Sequence, residues 1–113
     1  MNSKNKWEAD YEQEIERASL ARMEGNEGMA RVCARRAAGI VIGEYLRRCG
    51  YSGVNTSMYD RISLFLELPH VDERAREVSR HFLMKVNPEH KLPVNTDLIQ
   101  DATWLKKSLL KED

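Results

Sequence analysis

Apolar residues recur at helical spacing along most of the chain. Between Lys4 and Glu24 they fall on one stripe, which predicts an amphipathic helix: Trp7, Tyr11, Ile15 and Ala18. Its first half carries acidic side chains, which suit the positive end of a helix dipole: Glu8, Asp10, Glu12, Glu14 and Glu16. Gly25 then ends the pattern, and Asn26 is a suitable N-cap for a second helix.

The second predicted helix, Glu27 to Cys49, contains the segment AAGIVIG (37–43), which is apolar on every face. A helix that is apolar all round is covered on all sides, so this one is predicted to lie at the centre of the fold. Gly39 and Gly43 cost helix propensity, and such a cost is usually offset by the close approach of another helix. That neighbour could belong to the same chain or to a second copy across a dimer seam, with Tyr45, Leu46 and Trp104 as further candidates for burial.

Three further helices follow. The pattern predicts a short helix over about Met58 to Leu68, a fourth from Val71 or Asp72 to Val86, and a last one with Asn95 or Thr96 as its N-cap. Residues 51–57 (YSGVNTS) read as a turn-rich loop, and residues 88–95 contain two prolines and read as an extended connection. Since no strand pattern is long enough to trust, the predicted fold is a single all-α domain over residues 1–113, an antiparallel four-to-five-helix up-and-down bundle.

Composition narrows the functional classes. Lys+Arg and Asp+Glu number 18 each, so bulk positive charge does not drive nucleic-acid binding. No apolar run approaches the ~20 residues that cross a bilayer, so no membrane association is expected. The first residues lack the apolar stretch of a secretory signal, and a cytoplasmic location is therefore expected.

The cysteines and histidines do not have the spacing of a metal-binding site. Cys33 lies within the apolar pattern and is predicted to be a small buried hydrophobe, whereas Cys49 lies beside arginines at a helix end and could be reactive. Around His70, His81 and His90 there is no recognised ligand spacing. We therefore expect no metal and no cofactor.

Arginines of the second helix are the candidate ligand-binding groups: Arg31, Arg35 and Arg36. Their planar forks suit phosphate, which favours a nucleotide or RNA ligand. The alternative is structural, because an antiparallel hairpin would place the arginines of this helix beside the acidic residues of the first.

Two long segments carry a family resemblance. GNEGMARVCARRAAGIVIGEYL (25–46) and VSRHFLMKVNPEHKLPVNTDLIQDATWLKKSLL (78–110) resemble, in pattern and order, the second helix and the last two helices of the HEPN superfamily of small helical domains. The resemblance implies a nucleotide-binding, RNA-binding or protein-interaction module, and the small-residue surface at Gly39 and Gly43 adds the expectation of a homodimer. It also implies two roles found in toxin–antitoxin pairs, namely partner of a small nucleotidyltransferase and metal-independent ribonuclease.

The ribonuclease members carry an R-x(4–6)-H motif, and this chain has its spacing twice, from Arg74 and from Arg76 to His81. In that role His81 would act as acid or base on a ribose hydroxyl, while an arginine would stabilise charge on the phosphate. Both matches depart from the active pattern, since Ala75 and Glu77 follow the arginines where a polar residue is usual. The alternative for His81 is a surface residue paired with Glu77 one helical turn away. We therefore favour a non-catalytic member of the family.

Overall fold

All regular structure in the described part of the chain is helical. The computed structural model describes residues 5–51 and 57–111. They form α1 (Lys6–Met23), α2 (Glu27–Arg48), α3 (Met58–Glu67), α4 (Glu73–His81) and α5 (Leu98–Leu109). The predicted all-α bundle is confirmed, while most of the loop predicted at 51–57 lies outside the described residues.

The first two helices form a hairpin with a three-residue link. Gly25 has a φ of +80°, a conformation that glycine adopts without steric cost. The side chain of Asn26 accepts a hydrogen bond of 3.0 Å from the backbone N–H of Met29. The predicted break at Gly25 and the predicted N-cap at Asn26 are therefore both confirmed.

Helix α2 is the centre of the fold, as its apolar middle predicts. It makes its main contacts with α1, α3 and α5, and ten of its residues are buried, among them Cys33, Ala37, Val41 and Leu46. A Cβ at Gly39 would lie 2.7 Å from the Cβ of Met58 at the start of α3. The close neighbour predicted from the glycines is therefore α3 of the same chain.

One core joins all five helices. Tyr11 of α1, Ile42 of α2, Phe65 of α3, Ala75 of α4 and Leu105 of α5 belong to a single cluster of buried side chains. Tyr45 and Trp104 are partly buried against it. No described helix is long and apolar enough to cross a membrane.

Helix α4 ends five residues earlier than its apolar stripe predicts. Phe82 is fully buried, as the stripe requires, but its carbonyl oxygen accepts a hydrogen bond of 2.8 Å from Arg35 Nε. In a continuing helix that oxygen would accept the N–H of Val86. The helix ends at His81 in three-residue turns, since the N–H groups of Phe82, Leu83 and Met84 bond to the carbonyls of Ser79, Arg80 and His81. Arg35 takes the Phe82 carbonyl beyond that end, and Val86 is 41% exposed in the connection that follows.

The N-cap predicted for α5 is also wrong. Asp97, rather than Asn95 or Thr96, caps the helix and accepts hydrogen bonds from the backbone N–H groups of Ile99 and Gln100. The hydroxyl of Thr96 is engaged elsewhere, since it donates to Asp101 Oδ2 at 2.7 Å.

Four arginines of α2 pair with groups other than the acidic residues of α1, although Arg48 also lies over the ring of Trp7 on that helix. Arg47 and Arg48 both pair with Glu44 of their own helix, at 2.6 and 2.9 Å. Arg31 and Arg35 donate to backbone carbonyls between α4 and α5. The structural alternative proposed from charge complementarity is therefore wrong for these four side chains, and two of them remain available to a ligand.

Candidate anion-binding groove

Two of the three predicted ligand-binding arginines, Arg31 and Arg35, lie one turn apart on the same side of α2. Arg31 Nη1 donates to the carbonyl oxygen of His90 at 2.9 Å, and Arg35 Nε donates to that of Phe82. Both hydrogen bonds hold the connection between α4 and α5 against α2. They also fix the two guanidinium groups in place, which lowers the entropy that a ligand contact would cost.

Each of these guanidinium groups keeps an unused edge with two donors. Arg31 has engaged Nη1, which leaves the edge of Nε and Nη2, and Arg35 has engaged Nε, which leaves the edge of Nη1 and Nη2. The free edge of Arg31 makes no hydrogen bond to the described residues, but it faces Glu27, whose Oε2 lies 3.9 Å from Arg31 Nε. Two-donor edges match the oxygens of a phosphate or carboxylate.

The arginines border a groove of about 550 Å³ between the first half of α2, the start of α3 and the residues after α4. Lys85 and His90 also line the groove. Its apolar lining consists of Val32, Tyr59, Met84 and Val86. The groove therefore combines fixed positive charge with an aromatic surface, and Tyr59 is 48% exposed.

The acidic residue among the groove lining, Glu27, is held by an arginine that it shares with Asp97. Arg22 Nε and Nη2 donate to the two carboxylate oxygens of Glu27 at 3.0 and 2.7 Å, and this fork lowers the pKa of Glu27 below its usual value. The Nη1 of Arg22 also donates to both oxygens of Asp97. Because Arg22 serves both carboxylates, Glu27 keeps part of its negative charge beside Arg31, 3.9 Å away, and the positive charge at the groove comes mainly from Arg35 and Lys85.

His90 is a groove residue that the sequence analysis did not single out. It is the one non-glycine residue in the described chain with a positive φ, +63°. The turn around it is held by Asn87, whose side chain accepts from the N–H groups of Glu89 and Lys91. A strained backbone conformation of this kind is kept only where several surrounding contacts fix it, and such residues are concentrated at functional sites. In the sequence, the turn-forming run NPEH (87–90) is the feature that could have indicated this turn.

Arg36, the third predicted ligand-binding residue, lies elsewhere. It is exposed on α2 and does not line the groove. A rotation of about 100° per residue separates its side chain from that of Arg35. The structure thus brings Arg31 and Arg35 together and leaves Arg36 outside.

His81 occupies a second polar cluster at the junction of α4 and α5. Its Nδ1 lies 2.9 Å from Asp101 Oδ2, the same oxygen that accepts the Thr96 hydroxyl. Since an ionised carboxylate only accepts, Nδ1 carries the proton and Nε2 is the remaining ring nitrogen. The partner predicted for His81, Glu77, instead pairs with Arg80 at 3.2 Å.

The two arginines of the R-x(4–6)-H spacing do not join His81 in this cluster. Arg74 stacks over the ring of Trp104 at 4.9 Å, and it lies two helical turns, about 10 Å along the axis, from His81. Arg76 donates to the carbonyl oxygens of Leu66 and Leu68 at the end of α3. Within the described chain, each arginine therefore has a local partner of its own.

Among the described residues, no three His, Cys, Asp or Glu side chains are grouped so that they could hold a metal ion. No protein-family model matches the chain, and neither a curated protein nor a solved structure matches it. The resemblance to HEPN domains therefore stays a prediction. The groove and the His81 cluster are the two features of the described chain that suggest a function.

Proposed function

We propose that the chain is a HEPN-like module that binds a nucleotide, either free or within RNA, in the groove between α2 and the connection that follows α4. The observation that supports this most directly is the pair of fixed guanidinium groups of Arg31 and Arg35, each with an unused two-donor edge.

The charged residues of the groove match the phosphate of a nucleotide, and its apolar residues match the base. A phosphate would accept from the free edges of Arg31 and Arg35, with Lys85 adding a point charge. The base would lie against Tyr59 and the apolar side chains beside it, because base–aromatic stacking contributes about 1–3 kcal/mol and tolerates any base. The volume of about 550 Å³ is within the usual range for small-ligand sites.

Isothermal titration with AMP tests the proposal. The matched variants are Arg35→Gln and Arg36→Gln, which remove one charge each at adjacent positions of α2. Arg35→Gln should weaken binding at least about tenfold, since a hydrogen bond from a charged group contributes about 1.5–3 kcal/mol. Arg36→Gln should bind like the wild type. Failure of the wild type to bind either AMP or a short single-stranded RNA would refute the proposal.

Two association predictions remain to be tested: a homodimer, expected from the apolar residues around Gly39 and Gly43, and a complex with a small nucleotidyltransferase, implied by the family resemblance. Light scattering at micromolar concentration tests the first, and co-purification with a nucleotidyltransferase encoded beside this chain tests the second. A monomer that co-purifies with no such enzyme would leave ligand binding as the remaining role.

A second candidate function is metal-independent cleavage of RNA by His81. The hydrogen bond between His81 Nδ1 and Asp101 favours it, because a carboxylate that fixes the tautomer leaves Nε2 to accept a proton. In this role His81 takes the proton of a ribose hydroxyl, and Arg74 or Arg76 would have to leave its present partner to reach the phosphate. The test is cleavage of an RNA pool in the presence of a chelator. The wild type should cleave and His81→Ala should not, and equal loss of RNA in both samples would exclude this role.

A further inference from the structure

Charge changes along the groove. Glu27, Arg31 and Arg35 follow one another at four-residue spacing in α2, so about 6 Å of helix axis separates each from the next. All three side chains line the groove, together with Lys85. Glu27 therefore lies at one end of this row and Arg35 at the other.

The Glu27 end of the row carries no net positive charge. Glu27 Oε2 lies 3.9 Å from Arg31 Nε and 2.7 Å from Arg22 Nη2, while Arg22 Nη1 lies 2.9 Å from Asp97 Oδ2. Two guanidinium groups therefore face two carboxylates there. Arg22 also keeps Glu27 ionised at neutral pH, because its hydrogen bonds hold the pKa of Glu27 below its usual value. The uncancelled positive charges of the lining are those of Arg35 and Lys85.

We infer that the groove accepts a ligand with a single phosphate group, and that Glu27 is the residue that excludes longer phosphate chains. This rests on the proposed function and narrows it, because nucleoside mono-, di- and triphosphates share the base and the first phosphate. A phosphate monoester carries about two negative charges at neutral pH, which match the uncancelled charges of Arg35 and Lys85.

A longer phosphate chain gains little in this groove. The first phosphate takes the free edges of Arg31 and Arg35, and the described lining offers a second phosphate no further uncancelled cation. A second phosphate on the Arg31 side lies beside Glu27. Repulsion between unit charges about 4 Å apart in water corresponds to about a fivefold loss of affinity. A chain that extends into solvent instead makes no contact with the groove.

Isothermal titration with AMP and with ATP tests this limit. A chelator is present, because Mg²⁺ bound to ATP would neutralise part of its charge. The wild type should bind ATP no more tightly than AMP. Glu27→Gln removes the repulsion and keeps an oxygen that accepts from Arg22. It should bind ATP at least about fivefold more tightly than the wild type does, and its gain for AMP should be smaller.

Two further variants test whether the charge of Glu27 is the cause. Asp97→Asn leaves Glu27 in place but gives it sole use of Arg22, and asparagine keeps the N-cap of α5. It should shift the preference toward ATP, as Glu27→Gln does. Glu24→Gln is the matched control, since it removes one negative charge from an exposed position outside the groove lining. At about 0.15 M salt, screening over about 8 Å keeps so distant a charge from contributing.

The outcomes separate this limit from the proposed function. Tighter binding of ATP than of AMP by the wild type would overturn the limit and leave the groove standing. An unchanged ratio of the two affinities in Glu27→Gln and Asp97→Asn would also overturn it, as would an equal shift in Glu24→Gln. Absence of binding to AMP, ATP and a short single-stranded RNA alike would refute the proposed function itself.

Discussion

The Nε of Arg35 lies 2.8 Å from the carbonyl oxygen of Phe82, the residue that caps α4. This contact holds the end of α4 against α2 and, at the same time, fixes a guanidinium group at the groove. The same side chain therefore contributes to the fold and to the proposed site.

Replacing Arg35 by Met should lower the free energy of unfolding by about 1–2 kcal/mol. The lost hydrogen bond comes from a charged donor, but the freed carbonyl of Phe82 can regain a partner if α4 extends. Urea titration measures the change. Arg36→Met, one residue away and exposed, should stay within about 0.5 kcal/mol of the wild type. Equal losses in the two variants would show that the contact with Phe82 contributes nothing.

The two glycines of α2 should respond differently to alanine. At Gly39 the new Cβ would lie 2.7 Å from the Cβ of Met58, which stands close to the backbone of α3 and cannot move freely. We expect a loss of about 1–3 kcal/mol there. At Gly43 the nearest atom is Nη1 of Arg61 at 3.1 Å, at the end of a flexible side chain, so the helix-propensity gain of up to about 1 kcal/mol should offset the contact.

Thermal or urea unfolding of the two alanine variants distinguishes these sites. Gly39→Ala should be the less stable of the pair. The opposite order would mean that α3 shifts away from α2 more easily than this packing suggests.

Substitutions of His90 should affect stability and AMP binding in different ways. His90→Gly relieves the cost of a positive φ, whereas His90→Ala keeps it, so the glycine variant should be more stable than the alanine variant by up to about 1 kcal/mol. Both variants lose the imidazole at the groove, and both should bind AMP more weakly than the wild type. A glycine variant that unfolds at the lower urea concentration would contradict the strain argument. Unchanged AMP affinity in both would remove His90 from the site.

Acid should destabilise the fold through Glu27 and Glu44. The pKa of each lies below its usual value of 4.5, mainly because Arg22 donates to Glu27 and Arg47 donates to Glu44. For a carboxylate whose pKa is lowered by folding, the unfolded chain binds the proton first as pH falls. The stabilisation is therefore complete above about pH 4.5 and is lost as pH falls through the folded-state pKa.

Urea midpoints measured from about pH 6 to about pH 3 show this loss directly. Glu44→Gln should be less stable than the wild type at pH 6 and should show a shallower decline in acid. Glu16→Gln, at an exposed position of α1, is the control and should follow the wild-type curve. A Glu44 variant with the wild-type slope would show that its pair with Arg47 does not contribute.

Apolar periodicity was enough to predict the five helices and the central place of α2, because burial follows directly from it. The predictions from periodicity failed where a polar side chain determines how a helix begins or ends. The carbonyl of Phe82, just past the end of α4, is held by Arg35, which is 47 residues away in sequence. No local pattern encodes such a contact. Thr96 has the chemistry of an N-cap, but its hydroxyl donates to Asp101.

The candidate site was predictable in part. Arg31 and Arg35 are recognisable from helical spacing, and their position on one face of α2 follows from it. The sequence did not show whether the acidic residues of α1 would pair with these two arginines. Both arginines instead bond to residues after α4, a contact that is visible only in three dimensions. Asp101 as the partner of His81, and His90 as a groove residue, required the same information.

Three arginines of the first two helices hold the connection after α4: Arg35 at Phe82, Arg31 at His90 and Arg22 at Asp97. These contacts join residues 47, 59 and 75 positions apart. Closing such long loops is entropically costly until both ends are ordered. The hairpin of α1 and α2 can form from local contacts alone, and the connection can be placed only once that hairpin exists. We therefore expect the groove to be assembled after the hairpin, because Arg31 and Arg35, which line it, must be in place before the connection can close over them.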